Sequence, residues 1–289
     1  MKKRVTAKRN LSIKMGMARL CLFFMLSLVG CSPHYLPSTT DGEYDNTHIH
    51  TKDIHRVLGD VVKSIYRVET STTFNIGDEK STLKAVGMAF SLDNRHLLTA
   101  KHVTSIDSFQ VETPYGLLNL PIPPKVKIEE TTSIVFDDGS RMPLRVVYRD
   151  TELDFAVLVA EKEVCPPPYV IGNSDDFKIV SQVILPANFQ TGLSIRLGYI
   201  TQLDFVRYGP NGEVAARNDN IFGISAVVSE GDSGSPILLI RDGKVELGGL
   251  VSFIVLPARG LGYGLKINPI LEKLKTEKNQ KAWLEPLLK

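Results

Sequence analysis

The sequence predicts an all-β fold, a sandwich or a barrel, and three observations point to it. Short apolar or alternating runs succeed one another from about Ser64 onward, turn residues separate them, and only one stretch near the carboxyl end carries helical periodicity. The composition suits a chain that buries a core, with 289 residues, 43% of them apolar and 23% charged. Disordered, collagenous and disulfide-stapled classes are thereby excluded.

In the first half the predicted strands run Ile65 to Thr70, Ala85 to Phe90, His96 to Thr99, Ile134 to Phe136, Leu144 to Tyr148 and Phe155 to Val159. In the second they run Val180 to Pro186, Ser194 to Gln202, Ile221 to Val227, Pro236 to Ile240, Val245 to Phe253 and Gly262 to Ile267. Asp138 with Gly139 and Asp242 with Gly243 supply hairpin turns, since glycine accepts positive φ and aspartate bonds its own backbone. Pro166, Pro167 and Pro168 cannot sit in a central strand and read as the connection between two halves. The helix is expected over about 269–285, with Asn268 as its cap and Pro269 at its first position. Ile270, Leu271, Leu274, Trp283 and Leu284 would form its apolar stripe, and Pro286 would end it.

An address precedes the strands. Residues 1–31 hold seven Lys or Arg and no acid, and close on an apolar run from Leu20 to Gly30. That run is too short for the roughly 20 residues a spanning helix needs, so it reads as an export signal. Leu28, Val29, Gly30 and Cys31 resemble the lipobox of bacterial lipoproteins. The resemblance implies diacylglycerol on the Cys31 thiol, removal of the residues before it, and a membrane partner in the bacterial envelope. Each buried CH₂ of such chains contributes about 0.8 kcal/mol of membrane affinity. Ser32, next in line, favours the outer membrane, facing the periplasm; an ordinary cleaved signal with a chance cysteine is the alternative. Residues 32–52 are polar, with several Pro and Ser, and read as a flexible tether. His48 and His50 lie there without a third ligand at metal-site spacing, so no metal is expected.

Residues 53–289 remain for one folded domain. With the leader set aside, 27 of the 34 basic residues face all 32 acidic ones, a net charge of −5. A domain of that sign lacks the basic footprint that neutralises phosphates, which argues against nucleic acid as a partner. Of three cysteines only Cys165 lies in the folded part, so no internal disulfide can form there.

Chemistry concentrates at three places. Glu230, Gly231, Asp232, Ser233, Gly234, Ser235 and Pro236 form a glycine-flanked turn entering an apolar strand. A serine attacks only when a base takes its proton and amides receive the developing charge. Glycines beside Ser233 would let the amides of Gly231 and Ser233 do the latter; taken alone, the stretch reads equally as a plain turn. Among six histidines, four lie in or beside the tether and His96 starts a strand. His102 follows that strand, where rigid scaffold holds a ring that stays reachable. Asp154 stands at the mouth of the apolar run Phe155 to Val159, where a carboxylate is costly unless partnered.

Leu98 to Val103, Asp154 to Leu158 and Gly231 to Pro236 together resemble the trypsin-like serine peptidase superfamily in its His, Asp, Ser chain order. The likeness is nearer to its bacterial HtrA and glutamyl-endopeptidase branches and covers roughly residues 60–284. It implies two antiparallel β-barrels, about 60–163 and 169–267, with the site between them and a carboxyl-terminal helix. It further implies His102 as general base, Asp154 as its orienter, Ser233 as nucleophile, and Gly231 and Ser233 N–H as oxyanion hole. Substrate polypeptide would pair with the strand Leu250 to Phe253, which carries Ser252. Val227, six residues before Ser233, would floor the specificity pocket and Ile254 would line its wall, an apolar pocket for small or medium aliphatic side chains. No cofactor is implied. An amino terminus cut to pair with Asp232 is not expected, so Asp232 should be supported locally or partly solvated. The alternative from another class is a non-catalytic peptide-binding lipoprotein on the same fold. Oligomeric state is not readable from one chain.

Overall fold

The β-branched and alternating runs do form strands, and many continue past the apolar signal. The computed structural model describes residues 41–45, 58–76, 79–113, 116–123, 126–189, 192–254, 261–277 and 284–285. Of two compact units, Met1–Ser32 lies outside these residues and Pro33–Lys289 contains them all.

Strands β1 (Ile65–Ile76), β2 (Glu79–Ser91), β3 (His96–Ala100), β6 (Lys127–Val135), β7 (Arg141–Asp150) and β8 (Phe155–Ala160) close into one barrel, in the order β1, β2, β3, β8, β7, β6. β1 outruns its predicted end at Thr70 because threonines replace apolar residues without breaking the ladder. Thr70 meets Thr132 at 3.0 Å and Thr73 meets Thr82 at 3.1 Å, cross-strand hydroxyl pairs that stabilise a sheet. β3 and β8 are buried almost throughout, as expected of strands covered on both faces.

The second barrel orders β15 (Pro236–Arg241), β10 (Gln182–Phe189), β11 (Gly192–Gln202), β14 (Ile221–Ile224), β17 (Gly262–Lys266) and β16 (Lys244–Ile254), and β16 pairs back to β15. The two-residue β9 (Val170–Ile171), just after the triple proline, adds in parallel to β16. Two hairpins were not foreseen: β4 (Ser108–Thr113) with β5 (Gly116–Pro121), and β12 (Phe205–Tyr208) with β13 (Val214–Asn218). The second is mostly exposed, so its burial pattern offers no apolar period.

The helix is shorter than expected. It spans Ile267–Thr276, denoted α2, and Asn268 lies inside its first turn instead of capping it. Asn268 instead docks the helix: its N–H donates to Ser174 Oγ, its Nδ2 donates to Asn173 Oδ1, and its Oδ1 accepts from Ser174 N–H. Leu284 is buried beyond the helix, and Trp283 lies outside the described residues.

The expectation of a flexible tether over 32–52 also needs correction, because residues 41–45 are docked. Tyr44 bridges to Arg241, Asp45 N–H donates to Ile240 O (2.9 Å), and Gln182 N–H donates to Asp45 O (2.7 Å). The segment thus fills the end of the seam between β10 and β15, which pair only at Ile184 and Leu238. The Tyr44 ring is buried against Phe177 under the Arg241 guanidinium, and its hydroxyl donates toward Glu246 Oε2 (3.0 Å). Burial, then the Glu246 charge, pushes that hydroxyl's pKa far above the ordinary phenol range. One aromatic anchor among polar neighbours leaves no periodic signal, which is why the segment reads as linker.

Candidate active site

Each of the three chemical motifs sits where a barrel strand begins or ends. β3 runs into the single turn α1 (Lys101–Thr104), which carries His102. Asp154 immediately precedes β8 and takes φ of 61°, a left-handed conformation that aspartate tolerates better than most residues. Lys101 N–H donates to Asp154 O at 3.0 Å, His102 N–H donates to Asp154 Oδ1 at 3.1 Å, and His102 Nδ1 lies 2.8 Å from Asp154 Oδ2. Ser252, on β16 of the other barrel, donates its Oγ–H to the same Oδ2 at 3.1 Å. Asp154 is therefore satisfied by donors from both barrels, and a proton on His102 Nδ1 leaves Nε2 as the acceptor.

The exit from α1 is fixed as well. Burial pushes the Asp107 carboxyl up, but hydrogen bonds from Lys101, Ser105 and Lys127 outweigh it and hold it well below the usual carboxylate range. Asp107 O in turn accepts from Ile122 N–H, which closes the base of the β4–β5 hairpin.

Ser233 lies on the turn before β15, and that turn is pinned to both barrels. Ser233 O accepts from Met88 N–H (2.8 Å), and Gly234 N–H donates to Val251 O (2.8 Å). Gly234 has φ of 85°, and a Cβ there would fall 2.1 Å from Met88 O and 2.5 Å from Thr99 Oγ1. No other residue fits that position. The amides along the turn divide into two sets. Those of Asp232, Gly234 and Ser235 donate to Ser229 O, Val251 O and Asp232 O, whereas those of Gly231 and Ser233 have no acceptor among the described residues.

His102, Asp154, Ser233 and Ser252 line one cavity of about 960 Å³, together with Val228, Ser229 and Val251. No hydrogen bond joins Ser233 Oγ to His102 among the described residues. Such contacts commonly tighten only once substrate is bound. The β12–β13 hairpin supplies Phe205 and Arg217 to the same cavity.

Ser252 has a different partner from the one expected, and Arg196 carries no signal in the sequence. Ser252 was assigned to substrate pairing, yet its side chain is buried on Asp154. Asp232, expected to be solvated or locally supported, is completely buried and paired with Arg196 of β11. Arg196 Nη1 donates to Asp232 Oδ2 (2.6 Å) and Nη2 donates to Oδ1 (2.7 Å), a bidentate fork, while Ser229 N–H adds a third bond at 2.6 Å. Arg196 Nη1 also donates to the carbonyl of Val227.

The Val227 side chain is 57% exposed and does not line the cavity, so the cavity gives no support to it as the pocket floor. Its neighbour Val228 takes the inward place, filling the space where a Cβ on Gly262 would stand. Phe253 and Ile254 end β16, and their side chains lie outside the description, as do Cys31, His48 and His50.

A family model described as the trypsin-like peptidase domain matches residues 87–246, more than half of the chain. No curated protein matches it. Among solved structures, the HtrA-type protease AlgW with a decapeptide matches at a TM-score of 0.54 and 16% identity, over 78% of this chain and 68% of that chain. A variant of that protease with a decapeptide matches at 0.56 and 17%, over 78% and 67%. The same protease with a tripeptide matches at 0.52 and 18%, over 78% and 64%, so the chain spans about two thirds of the length of those proteins. At these identities the likeness is one of fold.

Proposed function

The chain belongs to the trypsin-like peptidase domain family, and from that premise we propose that it is a serine endopeptidase tethered to the bacterial envelope through a lipid on Cys31. The observation that carries the catalytic reading is the Asp154 carboxylate. It receives His102 from one barrel and Ser252 from the other, beside the cavity that Ser233 enters.

In this reading Ser233 Oγ attacks the scissile carbonyl while His102 Nε2 takes the hydroxyl proton. The Nδ1–H bond to Asp154 fixes the tautomer and supports the imidazolium that forms. The free amides of Gly231 and Ser233 receive the oxyanion. Collapse expels the amine, which leaves with the proton from His102, and water then hydrolyses the acyl-Ser233 ester by the same proton route. Arg196 takes the part that a newly cut amino terminus would otherwise play, holding Asp232 and hence the turn that carries both amides. Extended polypeptide would add to the Leu250 to Phe253 edge.

A fluorophosphonate probe tests the reading. It is expected to label the folded protein once, with the modified peptide mapping to Ser233; a folded protein that stays unlabelled would be a peptide-binding relative. Specificity provides a separate test. Val228→Gly is expected to deepen the pocket and shift preference from small aliphatic toward larger side chains by at least about tenfold in kcat/KM, the scale of a methylene or more in an apolar pocket. An unchanged peptide-library profile would move the pocket away from Val228, and one led by Arg or Glu would overturn its apolar character.

A further inference from the structure

β7 ends on two charged residues whose side chains leave the strand on opposite faces, as neighbours in a strand must. Both reach toward the triad without touching the cavity. Arg149 Nη2 donates to Thr104 O (2.6 Å) and Nε donates to Thr104 Oγ1 (3.0 Å), while Glu130 Oε1 accepts from Nη2 at 2.6 Å. Thr104 is the last residue of α1, and its Oγ1–H donates back to Lys101 O (2.8 Å). The guanidinium thus closes the carboxyl end of the turn that bears His102, where carbonyls otherwise lack partners.

Asp150 is buried, and its Oδ1 accepts from Leu153 N–H (2.8 Å) and Glu152 N–H (3.0 Å). Its Oδ2 accepts from Tyr148 Oη–H (3.0 Å) and lies 3.5 Å from Lys273 Nζ of α2. Burial pushes this carboxyl up, but the Leu153 amide, the Tyr148 hydroxyl and Lys273 outweigh it and hold it low. The loop wound around it ends at Asp154. β7 itself is held by β8, with Arg149 opposite Ala156 and Asp150 opposite Phe155, both fully buried partners.

We propose that this strand end is the alignment element of the catalytic dyad, with Arg149 and Asp150 as positioning residues: one fixes the turn of His102, the other the turn of Asp154. The proposal rests on the hydrolase reading above. The two turns meet at the 2.8 Å side-chain contact and at two backbone donations to Asp154, and a single strand end supports both from behind. Displacement of either turn by about 1 Å is enough to cost on the order of 10²-fold in rate.

The test compares Arg149→Met and Asp150→Ala with Arg149→Lys, Asp150→Asn and, as control, Arg145→Met on the exposed outer face of the same strand. Arg149→Met and Asp150→Ala are expected to lower kcat about 10- to 100-fold with little change in KM, and to weaken the downfield His102 Nδ1 proton resonance. Arg149→Lys should recover part of the loss, and Asp150→Asn most of it, because its Oδ1 still accepts both amides. Arg145→Met should change neither readout. Variants that lose thermal stability yet keep wild-type kcat and the resonance would overturn the proposal. If Asp150→Ala does not fold, the two Arg149 variants and Asp150→Asn decide it. A wild type that is inert to substrate and to the fluorophosphonate would instead sink the hydrolase reading, and the resonance would still report whether β7 aligns the dyad.

Discussion

Replacing Asp154 with asparagine is expected to lower kcat about 10⁴-fold while leaving the protein folded, the scale set by loss of the orienting carboxylate in a serine triad. The carboxylate accepts from His102 N–H, His102 Nδ1–H and Ser252 Oγ–H. An amide in its place offers one acceptor oxygen and presents N–H donors to groups that are themselves donors. The ring would turn its other nitrogen toward the amide, or flip its tautomer, and Nε2 would no longer accept the Ser233 proton. Steady-state kinetics on a substrate taken from the peptide-library profile, with unfolding followed by circular dichroism, would measure it. Activity within tenfold of wild type would remove Asp154 from the mechanism.

Arg196→Met is expected to be nearly as damaging, for a different reason. It strands a carboxylate of zero exposure with the Ser229 amide as its remaining partner, and breaking a buried pair in this way costs about 3–5 kcal/mol. The cheapest relief is for the turn to open and let Asp232 reach water. That motion carries away the amides of Gly231 and Ser233, and loss of one oxyanion donor alone costs about 10²–10³-fold in kcat. Arg196→Met should therefore lose at least that much kcat/KM together with several degrees of thermal stability. Combining it with Asp232→Asn should return much of the stability, since no charge is then buried alone. A single Arg196→Met variant that melts and turns over like wild type would show that the fork does not hold the turn.

The candidate residues legible in the sequence are those whose chemistry is local. Glycines flank Ser233, although that stretch alone reads equally as a plain turn, and Asp154 stands out because a carboxylate at the head of an apolar strand needs a reason. His102 could be picked by elimination among six histidines. Arg196 and Ser252 could not be found in this way. Arg196 stands in a strand with ordinary alternation, and its partner is 36 positions away. Ser252 sits at a register shift of β16 against β17, where a bulge turns its hydroxyl toward Asp154. Val227 and Val228 show the limit of a count from the nucleophile: the counted side chain is 57% exposed, whereas its neighbour lines the cavity. The same holds for the fold. Apolar strands were legible, whereas the exposed β12–β13 hairpin, which reaches the cavity, carries no apolar period.

On the proposed lipid anchor at Cys31, the docked segment at Tyr44 would shorten the leash on this domain. Ten residue steps would then join Cys31 to Asp41, at most about 35 Å fully extended. A globule of this size has a radius of gyration of about 18 Å, so on that anchor its working volume would be a layer little deeper than its own girth. Polypeptides displayed at the membrane surface would meet the cleft at a high effective concentration, while those diffusing farther out would stay beyond its reach.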